Sequence, residues 1–154
     1  TPYVPLPAAD HPRAQVITDL PCVPLFLAGS SEGMGGTLRD GVAALPIGAR
    51  ILILAADLPE VTPDDIRLIA EAPPAGALIV AGADSAGNMG HPIAFDASLR
   101  PEFGQLGGDE GARSIVARHR DRLVKRALPD QHATRDLDTP EAWQAWRQAT
   151  GIWS

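Results

Sequence analysis

One carboxylate stands out in the stretch ILILAADLPEVTPDDI, Ile51 to Ile66. Six apolar residues run into Asp57, Pro59 follows two positions later, and helix-start chemistry begins at Thr62. A carboxylate at the end of an apolar strand, in a turn fixed by proline, can point into the crevice at a sheet edge and hold a divalent cation. It can equally do no more than close the turn. Thr62 already caps the helix that follows, which leaves Asp57 with less structural work and tips the balance toward chemistry. Near the other end, RDLDTPEAW places Asp136 and Asp138 two residues apart. In an extended segment both point the same way, with Leu137 toward the core. Asp138, directly before Thr-Pro-Glu, also fits a helix-cap arrangement.

Three further segments carry chemistry. In SSEGMGGTL, Gly33, Gly35 and Gly36 strip side chains from the start of a helix, so a planar ring could approach backbone N–H and C=O groups. Glycine clusters more often simply make turns. Three of them at a helix start still cost stability relative to alanine, and that cost asks for a compensating gain. GNMGHPIAF holds His91 extended ahead of Pro92, with Gly90 permitting a tight approach. His91 can hydrogen-bond a phosphorylated ligand as a cation or a neutral donor, or be an ordinary satisfied histidine. GGDEGARSIVARH predicts a helix capped by Asp109, with Gly111 and Arg113 at an anion-accepting end. Arg113 suits planar, bidentate recognition or is a solvated helix residue, and Asp109 is a cap rather than a catalyst. His11, His119 and His132 have no spacing that would assemble a zinc site. The single Cys22 excludes an internal disulfide and a multi-cysteine metal site.

These residues need a scaffold that gathers them at one edge. YVPLP and VPLFLA (Val23 to Ala28) predict strands, with a helix over ADHPRAQVITDL started by Asp10 between them. Leu38, Val42 and Leu45 recur at helical spacing in GMGGTLRDGVAAL. ILILAA, apolar on both faces, predicts a central strand of a parallel sheet covered by helices. TPDDIRLIAEA has Thr62 as N-cap, Pro63 at the first helical position, and a buried stripe of Ile66, Ile69 and Ala70. ALIVAG predicts another buried strand, and LVKRAL an alternating strand with one wet face. DTPEAWQAWRQAT predicts a closing helix with Trp143 and Trp146 on one side. Such alternation means an α/β sandwich with a mostly parallel sheet, whose sites lie at the carboxyl ends of the strands.

The totals agree with a soluble globular domain. At 154 residues the chain is most simply one domain with a real core. Hydrophobic residues make up 45% and charged ones 21%, and the net charge of −6 offers no basic surface for nucleic acid or anionic lipid. A phosphate substrate would have to be met locally, by a metal, backbone N–H groups or a few arginines. The apolar runs are too short to span a bilayer, and the opening TPYVPLPAAD lacks the build of a signal peptide, so the expected location is the cytoplasm.

Together these segments resemble a known family. The A-D-L-P turn around Asp57 resembles the metal-binding turn of the MobA-like nucleotidyltransferases, which load a nucleoside monophosphate onto a phosphorylated acceptor. EGMGGTLRDGVAAL resembles the family's GMGxSLxxGxxAL segment, GHPIAF its G-H-P-x-x-F element, GGDEGAR its G-D-x-G-A-R helix start, and RDLDTPEAW its closing D-x-D-T-P-E segment. The last four resemble the molybdenum cofactor cytidylyltransferase branch more than the guanylyltransferase branch. The resemblance implies a Rossmann-like, three-layer nucleotide-diphospho-sugar transferase fold in a single domain over residues 1–154. It implies transfer of CMP from CTP to a molybdopterin phosphate, with pyrophosphate released and Mg²⁺ required. Asp57 and Asp136 would then be metal ligands, with Asp138 supporting them. Gly33, Met34, Gly35, Gly36 and Thr37 (Thr37 standing where Ser is frequent) would meet the nucleotide together with Asp57. His91, Pro92, Asp109, Gly111 and Arg113 would meet the acceptor, His91 as a catalytic candidate. The implied partners are CTP and molybdopterin, with a molybdoenzyme as client.

Family members open with a strand and a Gly-rich loop, roughly L-A-A-G-x-S-x-R-M-G-x-x-K, which wraps the triphosphate. No segment here matches it, and the chain begins at what resembles the second strand, so the expected domain lacks its first strand and phosphate loop. Two other readings follow from the same residues. One keeps the fold and changes the nucleotide or acceptor, giving a guanylyl- or sugar-phosphate nucleotidyltransferase. The other is a catalytically silent binding or chaperone module for the molybdenum cofactor. Nucleotide preference in turnover separates the first, and binding without turnover identifies the second.

Overall fold

A proline in the first two positions opens helices at Pro12, Pro63, Arg100 and Pro140, where its missing N–H removes no hydrogen bond. A computed structural model of the chain describes residues 1–151. In chain order the elements are β1 (Tyr3–Leu6), α1 (Pro12–Val16), β2 (Val23–Phe26), α2 (Met34–Ala44) and β3 (Ile51–Ile53). They continue with α3 (Pro63–Ala70), β4 (Ile79–Ala83), β5 (Met89–Phe95), α4 (Arg100–Phe103), α5 (Arg113–Arg118), β6 (Leu123–Ala127) and α6 (Pro140–Thr150). Among the described residues no helix is long and apolar enough to cross a membrane.

The chain divides into two compact units. The first holds Thr1–Ile51 and Asp96–Asp121. Here β1 and β2 pair in parallel, from Tyr3 opposite Val23 to Leu6 opposite Phe26. Leu6, Leu27, Val42, Phe103 and Ile115 are buried among the apolar residues of this unit. The Arg100 guanidinium donates to the Leu45 carbonyl at 2.6 Å, which ties the end of α2 to the start of α4. α1 is capped by His11, whose Nδ1 accepts the Arg13 N–H at 3.2 Å, rather than by the expected Asp10. Pro12 occupies the first helical position, so the residue directly before it is the one with cap geometry.

The second unit holds Leu52–Phe95 and the chain from Arg122 onward. Its sheet has the order β3-β5-β4-β6. β4, buried along its whole length, pairs in parallel with β6 and antiparallel with β5. The sheet is therefore mixed, and the parallel pairing expected is found for β4 with β6 and, in the first unit, for β1 with β2. A short turn of four residues and Asn88 between β4 and β5 is the reason: so short a connection can only return the strand antiparallel. The ILILAA segment forms the edge of this sheet, not its centre, and only Ile51–Ile53 is strand.

On one face of the sheet Ile69, Val80, Ala94, Leu128 and Ala133 form a buried cluster, with Leu52 and Leu68 packed against it. Each fully buried aliphatic side chain of this kind stabilises by about 1.5–3 kcal/mol. Ile69 is the anchor of α3, while Ala70 is exposed and Leu68 takes the place expected for it. The capping box at Thr62 is complete. Its hydroxyl accepts the Asp65 N–H at 3.2 Å, and the Asp65 carboxylate accepts the Thr62 N–H at 2.8 Å. α6 starts at Thr139, whose hydroxyl accepts the Ala142 N–H without a reciprocal bond, and ends at Gly151 in the left-handed region, and its Trp143 and Trp146 rings meet edge to face, 6.0 Å apart.

Candidate functional site

In the second unit the segments that carry Asp57 and Asp136 meet backbone to backbone. Ala83 pairs with both Met89 and Ala127, so the carboxyl ends of β4 and β6 and the amino end of β5 share an edge. At that edge the His91 Nδ1 lies 3.2 Å from the carbonyl of Ile53, the last residue of β3. This is the edge at which ligands meet sheets of this build. Asp57 sits in the turn that follows, and its carbonyl accepts the Leu137 N–H at 3.0 Å. Leu137 is buried, and the flanking Asp136 and Asp138 are exposed. The two acid-bearing segments thus meet, backbone to backbone, and the alternation read from RDLD is present.

The Asp57 carboxylate has a feature that a turn-closing residue would not show. Its Oδ1 is buried and has no hydrogen-bond partner among the described residues. An unsatisfied buried polar atom costs about 1–3 kcal/mol, more when charged, and asks for an explanation such as a bound ion. A hard divalent cation fits. It takes oxygen ligands, and Mg²⁺ in particular is held by one or two carboxylates and completed by phosphates and water. Among the described residues no group of three or more His, Cys, Asp or Glu side chains could hold a metal ion, so a cation held here by two carboxylates would complete its shell with water.

Several residues that sequence reading did not single out brace these acids. Glu60, three residues after Asp57, accepts from Arg135 at 2.7 Å and from the Trp146 indole N–H at 3.2 Å. His132 places Nδ1 2.8 Å from the buried Asp65 carboxylate. Burial alone would push the Asp65 carboxyl up, but the Thr62 N–H, the His132 ring and the Thr62 hydroxyl outweigh it and hold the group below the usual carboxylate range. The His91 N–H donates to the Ala133 carbonyl at 2.8 Å. A Cβ on Gly90 would overlap that same carbonyl, which is why the residue before His91 has no side chain. Asx-turn chemistry in ADSAGN marks Asp84 as a turn residue. Its reach to Thr134, 50 positions away, leaves no local signal.

In the first unit the two segments expected to meet nucleotide and acceptor adjoin. The Gly35 N–H donates to the Gly108 carbonyl at 2.6 Å, and the Asp109 carboxylate lies against Gly33. Gly33 has φ 102°, outside the range of ordinary side chains. Cβ atoms on Gly35 and Gly36 would press on the backbones of Gly107 and Gly29. The close approach that compensates for these glycines is therefore, at least in part, the chain's own. Met34 is exposed, and the Thr37 hydroxyl donates back to the Gly33 carbonyl at 3.0 Å.

The loop into α2 is held by charge. The Arg39 guanidinium pairs with Glu32 at 2.7 Å and Asp40 at 2.9 Å, and Asp40 accepts the Gly29 N–H at 2.9 Å. Arg39 holds both carboxyls below their ordinary range. Asp109 does not cap α5. That helix starts at Arg113 with Ala112 before it, because Gly111 at φ 58° interrupts the turn. Arg113 is exposed at the first position of a six-residue helix.

Comparison with solved structures shows the fold. The chain is similar to Rv0371c from Mycobacterium tuberculosis H37Rv, with TM-score 0.73 and 22% identity over 95% of this chain and 74% of that one. A manganese complex of Rv0371c gives 0.70 and 22% over 96% and 76%. A homolog from Mycobacterium sp. strain JC1 gives 0.68 and 18% over 96% and 73%. None of the curated proteins compared with the chain matches it. The MobA-like NTP transferase domain matches residues 6–123. The chain belongs to that family and is a nucleotidyltransferase.

Proposed function

We propose that the protein transfers CMP from CTP to the phosphate of molybdopterin in molybdenum cofactor biosynthesis, with Mg²⁺ as the cofactor. An oxygen of the acceptor phosphate monoester attacks the α-phosphorus of CTP, a new P–O bond forms, and the bond to the β-phosphate breaks as pyrophosphate leaves. Such a step depends on positioning and charge neutralisation more than on a covalent nucleophile. The cation would supply neutralisation of the triphosphate, held by Asp57 and Asp136 with Asp138 in support.

The chain's own residues do the rest. Gly33, Met34, Gly35, Gly36 and Thr37 would meet the base through the backbone groups that the chain does not itself engage, the Gly35 N–H being already given to Gly108. His91, whose Nδ1 lies 3.2 Å from the Ile53 carbonyl, would meet the acceptor phosphate beside Pro92. Asp109, Gly111 and Arg113 would meet the pterin, the guanidinium being suited to planar groups or phosphate. The observation that carries the reading is the buried, unpartnered Oδ1 of Asp57 in a turn hydrogen-bonded to the Asp136–Asp138 segment. The manganese bound by Rv0371c is in keeping with a divalent cation here.

Turnover with molybdopterin and either CTP or GTP tests the reaction, and CTP is the expected substrate. Asp57→Asn is expected to lower turnover by at least about a hundredfold, the scale of a lost electrostatic stabiliser, with the fold retained. Preference for GTP would reject cytidylyl transfer, and unchanged turnover in Asp57→Asn would reject the ligand role.

A further inference from the structure

Asp84 is a buried carboxylate that the proposed reaction does not use, 7% exposed at the end of β4. Its Oδ1 accepts the N–H groups of Ala86 at 3.0 Å and Asn88 at 2.8 Å, and its Oδ2 accepts the Asn88 side-chain amide at 3.0 Å. Those three bonds close the β4–β5 turn, and they suffice for it. The fourth does something else. Oδ2 also accepts the Thr134 hydroxyl at 3.0 Å, from the loop two residues before Asp136.

Neighbouring bonds run in parallel with this one. The Ser85 N–H donates to the Asp130 carbonyl at 2.9 Å, and the His91 N–H to that of Ala133 at 2.8 Å. Beyond Thr134 the path to the acids is short. The Asp136 N–H donates to the Thr134 carbonyl at 3.1 Å, and the next N–H, that of Leu137, to Asp57. Three side chains of the acid loop reach a carboxylate, His132 to Asp65, Arg135 to Glu60 and Thr134 to Asp84, and Thr134 is the one that ties the loop to the end of β4.

We propose that Asp84, acting through Thr134, is a positioning residue for the cation site. It fixes the loop so that the Asp136 carboxylate is presented alongside that of Asp57. The inference rests on the divalent-cation reading above. Carboxylates that orient metal ligands from behind typically govern 10–100-fold in metal affinity.

The test is direct binding of Mn²⁺ alone, followed by the spin-resonance signal of the free ion, in the wild-type chain, Asp57→Asn, Thr134→Val and Thr134→Ser. Thr134→Val is expected to weaken Asp57-dependent Mn²⁺ binding by about tenfold, and Thr134→Ser, which keeps the hydroxyl, to restore it. The unfolding midpoint of Thr134→Val should move by no more than about 2–4 °C, so that the loss of affinity is not a loss of fold. Wild-type affinity in Thr134→Val, with binding still dependent on Asp57, overturns the positioning role and leaves the cation site standing. Equal losses in the Val and Ser variants overturn it too. Wild-type protein that shows no Asp57-dependent binding overturns the inference and the reading beneath it together.

Discussion

The backbone N–H of Leu137 donates to the carbonyl of Asp57 at 3.0 Å. Two segments far apart in the chain, each carrying an acid read as a metal ligand, are thereby in register, with Leu137 buried and its flanking acids exposed. A strand-like alternation sends Asp136 and Asp138 to the side opposite Leu137. Helix capping does not account for Asp138. The Thr139 hydroxyl, not Asp138, accepts the Ala142 N–H at 3.1 Å at the start of α6.

The two acids should separate under mutation. Asp136→Asn is expected to lower turnover by at least about a hundredfold, as a lost ligand would. Asp138→Asn should cost about tenfold or less and leave the unfolding midpoint unchanged, since α6 keeps its cap. Parallel rate and melting measurements on both variants check this. An Asp138 variant more impaired than the Asp136 variant would exchange the two assignments.

Asp65 offers a prediction about stability. It is 4% exposed, completes the Thr62 capping box, and pairs with the His132 ring at 2.8 Å. Its carboxyl is held below the unfolded value of about 3.9, so folding favours the ionised form. That contribution is fully present above the unfolded pKa and fades as pH falls through the folded one. Asp65→Asn is therefore expected to destabilise the protein by about 1–3 kcal/mol at pH 7, with the deficit shrinking below about pH 4. Urea titrations of both proteins at pH 7 and in the acid range decide it. A deficit independent of pH would mean that capping geometry, and not charge, is what Asp65 supplies.

Much of this architecture is legible in local chemistry. Thr62-Pro63 and Thr139-Pro140 start helices in the sequence and in the structure, because caps depend on residues within one turn. The buried run at Ile79–Ala83 reads as a covered strand for the same kind of reason. What eluded sequence reading depends on distant partners. GHPIAF is read for His91, yet it is the second half of a hairpin, and its antiparallel course comes from the short turn that Asp84 closes. Asp109 reads as a cap, but the left-handed Gly111 delays α5 to Arg113. Glu60 and Arg135 carry no motif at all, and their pairing exists only once the Asp57 turn and the 130–137 loop meet.

Gly90 links the hairpin to that loop and gives the last prediction. Its Cα faces the Ala133 carbonyl so closely that an added Cβ would overlap the carbonyl oxygen and carbon, and the Thr134 methyl is next in line. That carbonyl cannot retreat freely, because it accepts the His91 N–H at 2.8 Å, and Ala133 itself is buried in the core cluster. Gly90→Ala must therefore push the 130–137 loop away or bend β5. Either movement breaks a backbone hydrogen bond and disturbs packing, for an expected loss of about 2–4 kcal/mol. Gly104→Ala is the control. It has φ −63°, and an added Cβ would meet only the Pro101 carbonyl oxygen, at 3.3 Å, so it should change stability by less than about 1 kcal/mol. If the loop yields and the protein stays folded, Gly90→Ala should also weaken Mn²⁺ binding, because the displaced segment carries Asp136. A Gly90 variant as stable as the wild type and equally avid for the ion would show that the loop's place is not set by this contact.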